Sequence, residues 1–378
     1  MAGLYLHIPF CKQACHYCDF HFSTNQDLRT DLVKGILKEL KLQKDYLKGE
    51  ELATIYFGGG TPSLLSFQEL EIILECIHAT FSSIDRPEIT LEANPDDLTG
   101  KKLEELRLAG INRLSIGIQS FDDGVLKFLN RAHDAHEAVR CFRDARDAGF
   151  DNISIDLIYS IPGQVQDTWE RNLAQALSLT PEHLSSYSLT IEEKTAFGKW
   201  LKVGKLKAVE EEEAAQQFEL LMDMTHAAGY EHYEISNFSK HGFHSRHNSN
   251  YWKQKNYLGI GPSAHSYDGA SRQFNVNNNF SYLKSIEEGK IPLEREVLSN
   301  ENKINEYIFT TLRTMWGCDL EKVKVDFGID LYIKNKSYLT ELIEKKLVVI
   351  ENQIMKLTRS GKLVADKIAA DLLVASQF

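Results

Sequence analysis

Three cysteines stand close together near the beginning of the sequence, in the stretch CKQACHYCDF at residues 11–20. Cys11, Cys15 and Cys18 follow a CxxxCxxC spacing, and Phe20 stands where a fourth sulfur could have been. A structural zinc site uses four ligands, commonly two CxxC pairs, so this loop is one ligand short. Three thiolates on one loop suit a four-iron, four-sulfur cluster in which one iron has no protein ligand. The spacing therefore favours a cluster that is open to a substrate or cofactor, with zinc or merely structural cysteines as alternatives.

A glycine-rich turn, GGGTP at residues 58–62, is the second candidate. Without side chains, the glycines let backbone N–H groups approach an anionic group closely, and Pro62 fixes the exit of the turn. The spacing matches neither a Walker P-loop nor the dinucleotide-binding fingerprint. We therefore expect the turn to hold something other than a nucleoside triphosphate.

The elements that must position these residues are six β-then-α units, which predict an α/β fold with a parallel sheet and crossover helices, curled or open. The predicted strands are Leu4–Ile8, Thr54–Phe57, Glu88–Ala93, Arg113–Ile118, Ile153–Tyr159 and Leu184–Leu189. The predicted helices are Leu28–Leu47, Phe67–Phe81 behind a capping box of Ser66 and Glu69, Lys101–Leu108, Ala135–Ala148, Thr168–Leu177 and Glu210–Ala228.

Polar residues follow the ends of these strands. The cysteine loop follows the first strand and GGGTP the second, while Glu92, Gln119 and Asp156 belong to the third, fourth and fifth. Strand alternation puts these three on the face opposite the apolar residues, which should pack on the helices. Unpaired hydrogen-bonding groups inside a barrel would cost on the order of 1–3 kcal/mol each. We therefore expect a lumen that holds water and a polar ligand.

Composition excludes several classes of function. A formal net charge of −11 and the absence of a basic stripe argue against nucleic-acid binding. No apolar run reaches the roughly 20 residues of a membrane span, and the first residues lack the pattern of a signal peptide. Cys76, Cys141 and Cys318 are scattered, unlike a secreted disulfide framework. We expect a cytoplasmic protein without direct membrane insertion.

Three regions are predicted along the chain. Residues 1–235 contain the β/α units, and residues 236–298 look irregular and rich in His, Tyr, Asn and Gly. Residues 299–378 change to helices and short strands, which indicates a small, mainly helical C-terminal domain.

The motifs together resemble the radical S-adenosylmethionine (SAM) enzymes of the oxygen-independent coproporphyrinogen III oxidase group, over nearly the whole chain. The stretches that carry the resemblance are YLHIPFCKQACHYCDF, GGGTPS, LEANPDDL, GIQSF, LNRAH, IDLIYSIPGQ and GIGPSAHSY. The resemblance implies a partial (β/α)6 TIM-like barrel, in which Cys11, Cys15 and Cys18 bind a 4Fe-4S cluster and SAM chelates its fourth iron. It assigns the surroundings of the methionine, ribose and sulfonium to Tyr5, Tyr17, Gly59, Gly60, Thr61, Glu92, Gln119, Arg131 and Asp156. It also implies an electron donor and a C-terminal domain that covers the barrel mouth as a lid.

Two departures separate this chain from the oxidases of the group. The oxidases carry CxxxCxxCxC and a long extension before the first strand, whereas here Phe20 replaces the extra cysteine and Tyr5 comes almost at once. Both features resemble the haem-chaperone branch, the HemW family. The resemblance implies haem binding and transfer to apo-haemoproteins such as respiratory enzymes or haem-storing ferritins, with a possible homodimer. Anaerobic coproporphyrinogen III oxidation is the alternative.

A second motif, HNSNYW at residues 247–252, matches the HNxxYW pattern associated with haem binding in that branch. His247 could ligate haem iron, Tyr251 and Trp252 offer broad faces for a porphyrin, and Arg246 could pair with a propionate.

The spacing of this histidine leaves one more alternative open. His241, His244 and His247 are three residues apart and could bind a divalent metal if the segment were helical. Gly242 makes such a helix doubtful.

Overall fold

A computed structural model of the protein describes residues 1–374. Its centre is a run of six strands, each parallel to the next and in sequence order, which confirms the predicted parallel core. These strands are β1 (Ala2–Ile8), β2 (Leu52–Gly59), β3 (Ser83–Ala93), β4 (Arg113–Gln119), β5 (Ile153–Tyr159) and β6 (His183–Ser188).

Helices connect the strands and pack on one face of the sheet. The predicted capping box opens the second helix: Glu69 N donates to Ser66 Oγ, and Ser66 N donates to the Glu69 carboxylate. The first helix is shorter than predicted and ends at Leu42. The helices of this part are α1 (Arg29–Leu42), α2 (Phe67–Thr80), α3 (Gly100–Leu108), α4 (Asp123–Phe128), α5 (Ala135–Asp147), α6 (Gln166–Ser178), α7 (Ala196–Lys202) and α8 (Glu211–Ala227).

The main core lies between the sheet and these helices. Leu91, Leu114 and Ile155 are fully buried there, as strand alternation predicts. Burying a side chain of this size contributes about 1.5–3 kcal/mol. The alternate residues of the same strands are thereby left to face the concave side of the sheet.

Residues 236–298 are not irregular, and that expectation was wrong. Strand β8 pairs antiparallel with β6, whereas β9 pairs parallel with β1, so the chain crosses from one edge of the core sheet to the other. The strands have only three to five residues, too few for a periodic sequence signal. The elements are β7 (Glu231–Glu234), β8 (Asn237–Ser239), α9 (Arg246–Trp252), β9 (Tyr257–Ile260), β10 (His265–Tyr267), β11 (Ser271–Asn275), α10 (Asn279–Glu287) and β12 (Leu293–Val297).

The C-terminal domain has its own apolar core. It joins the rest of the chain beside β7, where Met315 N donates to Tyr233 O and Ile235 N donates to Arg313 O. Its elements are α11 (Asn300–Leu312), β13 (Cys318–Asp319), α12 (Leu320–Phe327), α13 (Leu331–Lys334), α14 (Lys336–Glu344), β14 (Val348–Glu351), β15 (Ile354–Leu357), α15 (Arg359–Lys362) and α16 (Ala365–Asp371). Within residues 1–374, none of the helices has the length and apolarity needed to cross a bilayer.

Candidate metal and cofactor site

A cavity of about 670 Å³ opens at the carboxyl edge of the six parallel strands. This volume lies in the range of small-molecule sites. Most of the predicted site residues line it: Cys11, Cys15, Tyr17, Cys18, Gly59, Gly60, Thr61, Glu92, Gln119, Arg131 and Asp156. Tyr5, His247, Tyr251 and Trp252 are not in its wall. No described residue of the C-terminal domain lines the cavity either, so the expected lid is not seen in residues 299–374.

The cysteine loop is held in place by hydrogen bonds to its backbone at its start and in its middle. Cys11 N donates to Ser23 O at 3.1 Å, and His16 N donates to Leu129 O at 3.1 Å. The side chain of Asn130 donates to Ala14 O at 2.7 Å. The loop is therefore anchored on the corner that follows α4, and its three half-buried thiols are unpaired cysteines.

Two donors approach the sulfur atoms. Thr61 Oγ1 donates to Cys11 Sγ and Arg131 Nη1 donates to Cys15 Sγ, both at 3.3 Å. Burial raises the pKa of the Cys18 thiol to about 12, and it raises the pKa of Cys11 against the opposing effect of Thr61. Cationic and hydroxyl donors stabilise thiolates, which are the forms that ligate metals. The donor set therefore suits metal-bound sulfurs.

Arg131 ties the cysteine loop to two strands. Its Nη2 donates to Asn94 Oδ1 at 2.6 Å and to Gly117 O at 2.7 Å, while Asn94 Nδ2 donates to Thr61 Oγ1 at 3.2 Å. Arg131 Nε is buried without a partner. An orphaned donor in the cavity wall is what a polar ligand would satisfy. Sequence reasoning missed Asn94, although it follows Glu92 at the same strand end.

The glycine turn packs backbone against backbone. A Cβ on Gly60 would lie 2.7 Å from Ile8 O, and Gly59 adopts φ +107°. Gly60 N donates to Ile8 O, Thr61 N to Phe10 O, and Gly59 N to Glu92 Oε2. These three N–H groups are all engaged within the protein, so they are not free donors for an anion, and the ligand-binding role of the turn stays a prediction. The glycines instead let β2 press against the start of the cysteine loop.

Two buried carboxylates stand in the cavity wall. Glu92 accepts from Tyr56 Oη at 2.8 Å, and burial raises its pKa to about 7, with the nearby charge of Asp156 acting in the same direction. Asp156 accepts from the hydroxyls of Ser115 and Ser154, and burial raises its pKa as well. Neither forms an ion pair within the described chain. A cationic ligand, such as an ammonium or sulfonium group, would relieve their desolvation.

Gln119 lies at the end of β4 with φ +67° and lines the cavity. A left-handed conformation at a residue other than glycine is uncommon and often occurs at functional sites. Strand alternation predicts that the side chain of Gln119 faces away from the helices, but it does not predict the left-handed backbone conformation.

The HNxxYW motif forms helix α9 beneath the cavity. His247 is 2% exposed, and its two ring nitrogens hydrogen bond with Thr54 Oγ1 and Tyr251 Oη, each at 2.8 Å. Its ring stacks on Tyr56 with 4.9 Å between centroids, and Tyr5 contacts both rings, at 6.1 Å from Tyr56 and 6.4 Å from His247. Sequence reasoning missed Tyr56, which links this cluster to Glu92. The haem-binding role of His247 stays a prediction, but its site is a packed core.

The alternative three-histidine metal site does not form. His241 and His244 each hydrogen bond with Glu231 at 2.8 Å, and the helix begins only at Arg246, so His247 points elsewhere. Within residues 1–374, no three His, Cys, Asp or Glu side chains come together to share one metal ion. This holds for the three thiols of the cysteine loop too, whereas a cluster binds each cysteine through a separate iron.

Comparisons with known proteins agree with this geometry. The Radical SAM superfamily matches residues 5–176, and the HemN C-terminal domain matches residues 298–364. A Bacillus subtilis protein named heme chaperone HemW is 37% identical over 371 residues, covering 97% of this chain and 98% of that protein. The Escherichia coli heme chaperone HemW is 39% identical over 266 residues, 70% of this chain and 69% of its own. Escherichia coli coproporphyrinogen III oxidase HemN, a solved structure, matches with TM-score 0.84 and 22% identity, covering 99% and 90% of the two chains. The last match shows the fold, and it confirms the predicted fold class.

Proposed function

The chain belongs to the HemW family within the radical SAM superfamily, and on that premise we propose that it is a haem chaperone carrying a SAM-ligated 4Fe-4S cluster. The observation that carries the proposal is its relatedness to HemW along 97% of its length. Phe20, where the resembling oxidases have a further cysteine, favours this function over anaerobic coproporphyrinogen III oxidation. Phe20 is 74% exposed at the cavity.

The residues present fit the cluster. Cys11, Cys15 and Cys18 would each hold one iron, with Thr61 and Arg131 donating hydrogen bonds to sulfur. When bound, the cluster would supply one electron to the sulfonium of SAM, and an external electron donor would have to reduce the cluster first. We propose the cytoplasm as the compartment, because free thiols of this kind need a reducing environment.

The buried carboxylates, with Tyr17, Gln119 and the glycine turn around them, would hold SAM. Glu92 is protonated in the free protein below its pKa of about 7, whereas a cationic ligand favours the ionised form. Binding must then release a proton at low pH. We expect the affinity for SAM at pH about 6 to be roughly tenfold lower than at pH about 7.5.

Equilibrium dialysis of SAM across this pH range checks the prediction. The variant Glu92→Gln should bind SAM more weakly at the upper pH and should lose the pH dependence. Asp156→Asn is the comparison variant: it removes the other carboxylate and leaves Glu92 to titrate, at a lower pH because the charge of Asp156 no longer raises the pKa of Glu92. A wild-type affinity that is flat with pH would contradict the assignment of Glu92 to the cation.

We propose that haem binds at the HNxxYW motif, with contributions from His247, Tyr251 and Trp252, and is passed to apo-haemoproteins such as respiratory enzymes or haem-storing ferritins. A dimer of the chain would serve such a transfer. For iron to reach Nε2 of His247, the Tyr251 hydroxyl must first leave it. The variant Tyr251→Phe keeps the ring and removes that competitor, so we expect it to bind haem several-fold more tightly.

Haem titration of the anaerobically reconstituted protein tests the function, with the Soret band as the measurement. Saturable binding by wild type and tighter binding by Tyr251→Phe support the proposal. The absence of a Soret shift with wild-type protein would contradict the proposed chaperone function. Vinyl products formed from coproporphyrinogen III would instead establish the oxidase alternative.

A further inference from the structure

A cleft of about 470 Å³ lies on the side of helix α9 that faces away from the cofactor cavity. Arg246, Ser249, Asn250 and Lys253 line it, and their spacing of three and four residues puts them on one face of the helix. Asn248, which lines the cofactor cavity, lies on the opposite face. The HNxxYW helix is therefore a partition between two cavities.

The cleft concentrates positive charge that the protein does not neutralise. Arg246, Lys253 and Lys255 line it, and none of the three forms an ion pair within residues 1–374, although the whole chain carries a net charge of −11. The carboxylates nearby already have partners. Glu50 accepts from the Met1 amino group and from Asn256, and Glu231 is shared by two histidines.

Lys253 is the most constrained of these cations. Its Nζ lies 4.2 Å from the centre of the Trp316 ring. Burial and the charge of Lys255 both lower its pKa, so the two ammonium groups repel each other in the free protein. The attraction of a bound anion would offset both effects.

Buried polar groups in the same wall lack partners. Ser249 is 5% exposed, yet its hydroxyl makes no hydrogen bond, and the side-chain nitrogen of Asn250 is also buried and unpaired. Exposed lysines alone are ordinary on a protein surface. Orphaned donors beside them point to a ligand that carries acceptors, because a buried donor without a partner costs about 1–3 kcal/mol.

We propose, resting on the proposed function, that this cleft binds the two propionate carboxylates of haem. Arg246 offers a planar fork for one carboxylate, and Lys253 and Lys255 offer point charges for the other. Ser249 and Asn250 add neutral donors. This recognition is independent of which side chain ligates the iron, because it concerns only the acidic edge of the porphyrin.

Haem and its dimethyl ester, which lacks the two negative charges, are the probes that test the inference. Wild type should bind haem about tenfold more tightly than the ester. The double variant Lys253→Ala/Lys255→Ala should bind haem about tenfold more weakly than wild type, and it should discriminate less between haem and ester. The double variant Lys41→Ala/Lys44→Ala removes the same charge from exposed positions near the end of α1 and should behave like wild type.

These binding measurements distinguish a failure of the cleft assignment from a failure of the chaperone function. If wild type binds haem but the ester and the cleft variant bind equally well, the cleft assignment is overturned and the chaperone function stands. If wild type binds no haem, both fail. Far-ultraviolet circular dichroism of each variant confirms that the comparison is made between folded proteins.

Discussion

Replacing Cys15 with serine is expected to abolish the iron–sulfur cluster. The reconstituted protein should lose its brown colour and its paramagnetic signal after dithionite reduction, and bound iron should fall from about four per chain to nearly none. Only three thiols of the loop reach the cavity, so losing one leaves two corners of the cluster without a protein ligand. Arg131 would also lose the sulfur to which it donates.

Cys76→Ser is the matched control, because Cys76 is half-buried like the loop thiols but packs against α1. It should keep its iron. A Cys15→Ser protein that retained four irons would contradict the assignment of the loop. Stoichiometric zinc without iron in wild-type protein prepared under exclusion of oxygen would restore the zinc alternative.

The residues of the cofactor cavity that sequence predicts well are those whose direction follows from a local rule. Glu92 and Asp156 alternate with apolar neighbours along buried strands, and a period of two assigns their faces without tertiary information. The cysteine spacing is also local. These rules hold because each strand is long enough for its alternating apolar residues to show which face packs against the core.

Other features depend on partners far away in the sequence. The N–H groups of the glycine turn look free in the sequence, but they donate to Ile8 O, Phe10 O and the Glu92 carboxylate. Tyr56 belongs to the site because it donates a hydrogen bond to Glu92, and a periodic sequence pattern does not predict that contact. His247 contacts Thr54, 193 residues earlier, because helix α9 packs against β1 and β2. The strands before and after α9 have only three to five residues, so no periodic sequence pattern predicts this packing.

Replacing His247 with alanine is expected to lower the free energy of unfolding by about 2–4 kcal/mol. The change removes a buried ring, leaves the hydroxyls of Thr54 and Tyr251 without their partner, and opens a space beside Tyr56. Denaturant unfolding under anaerobic conditions measures it. His241→Ala is the control: this side chain is 93% exposed, and its loss should change stability by less than about 0.5 kcal/mol.

Loss of haem binding by His247→Ala can arise in two ways, from a disturbed core or from a lost ligand. Tyr56 stacks on both His247 and Tyr5 and donates to Glu92, so the same substitution should also weaken SAM binding. Loss of haem binding together with lost stability and lost SAM affinity would reflect a disturbed core. Loss of haem binding alone, at unchanged stability, would contradict the buried role and identify His247 as a ligand that becomes accessible to iron.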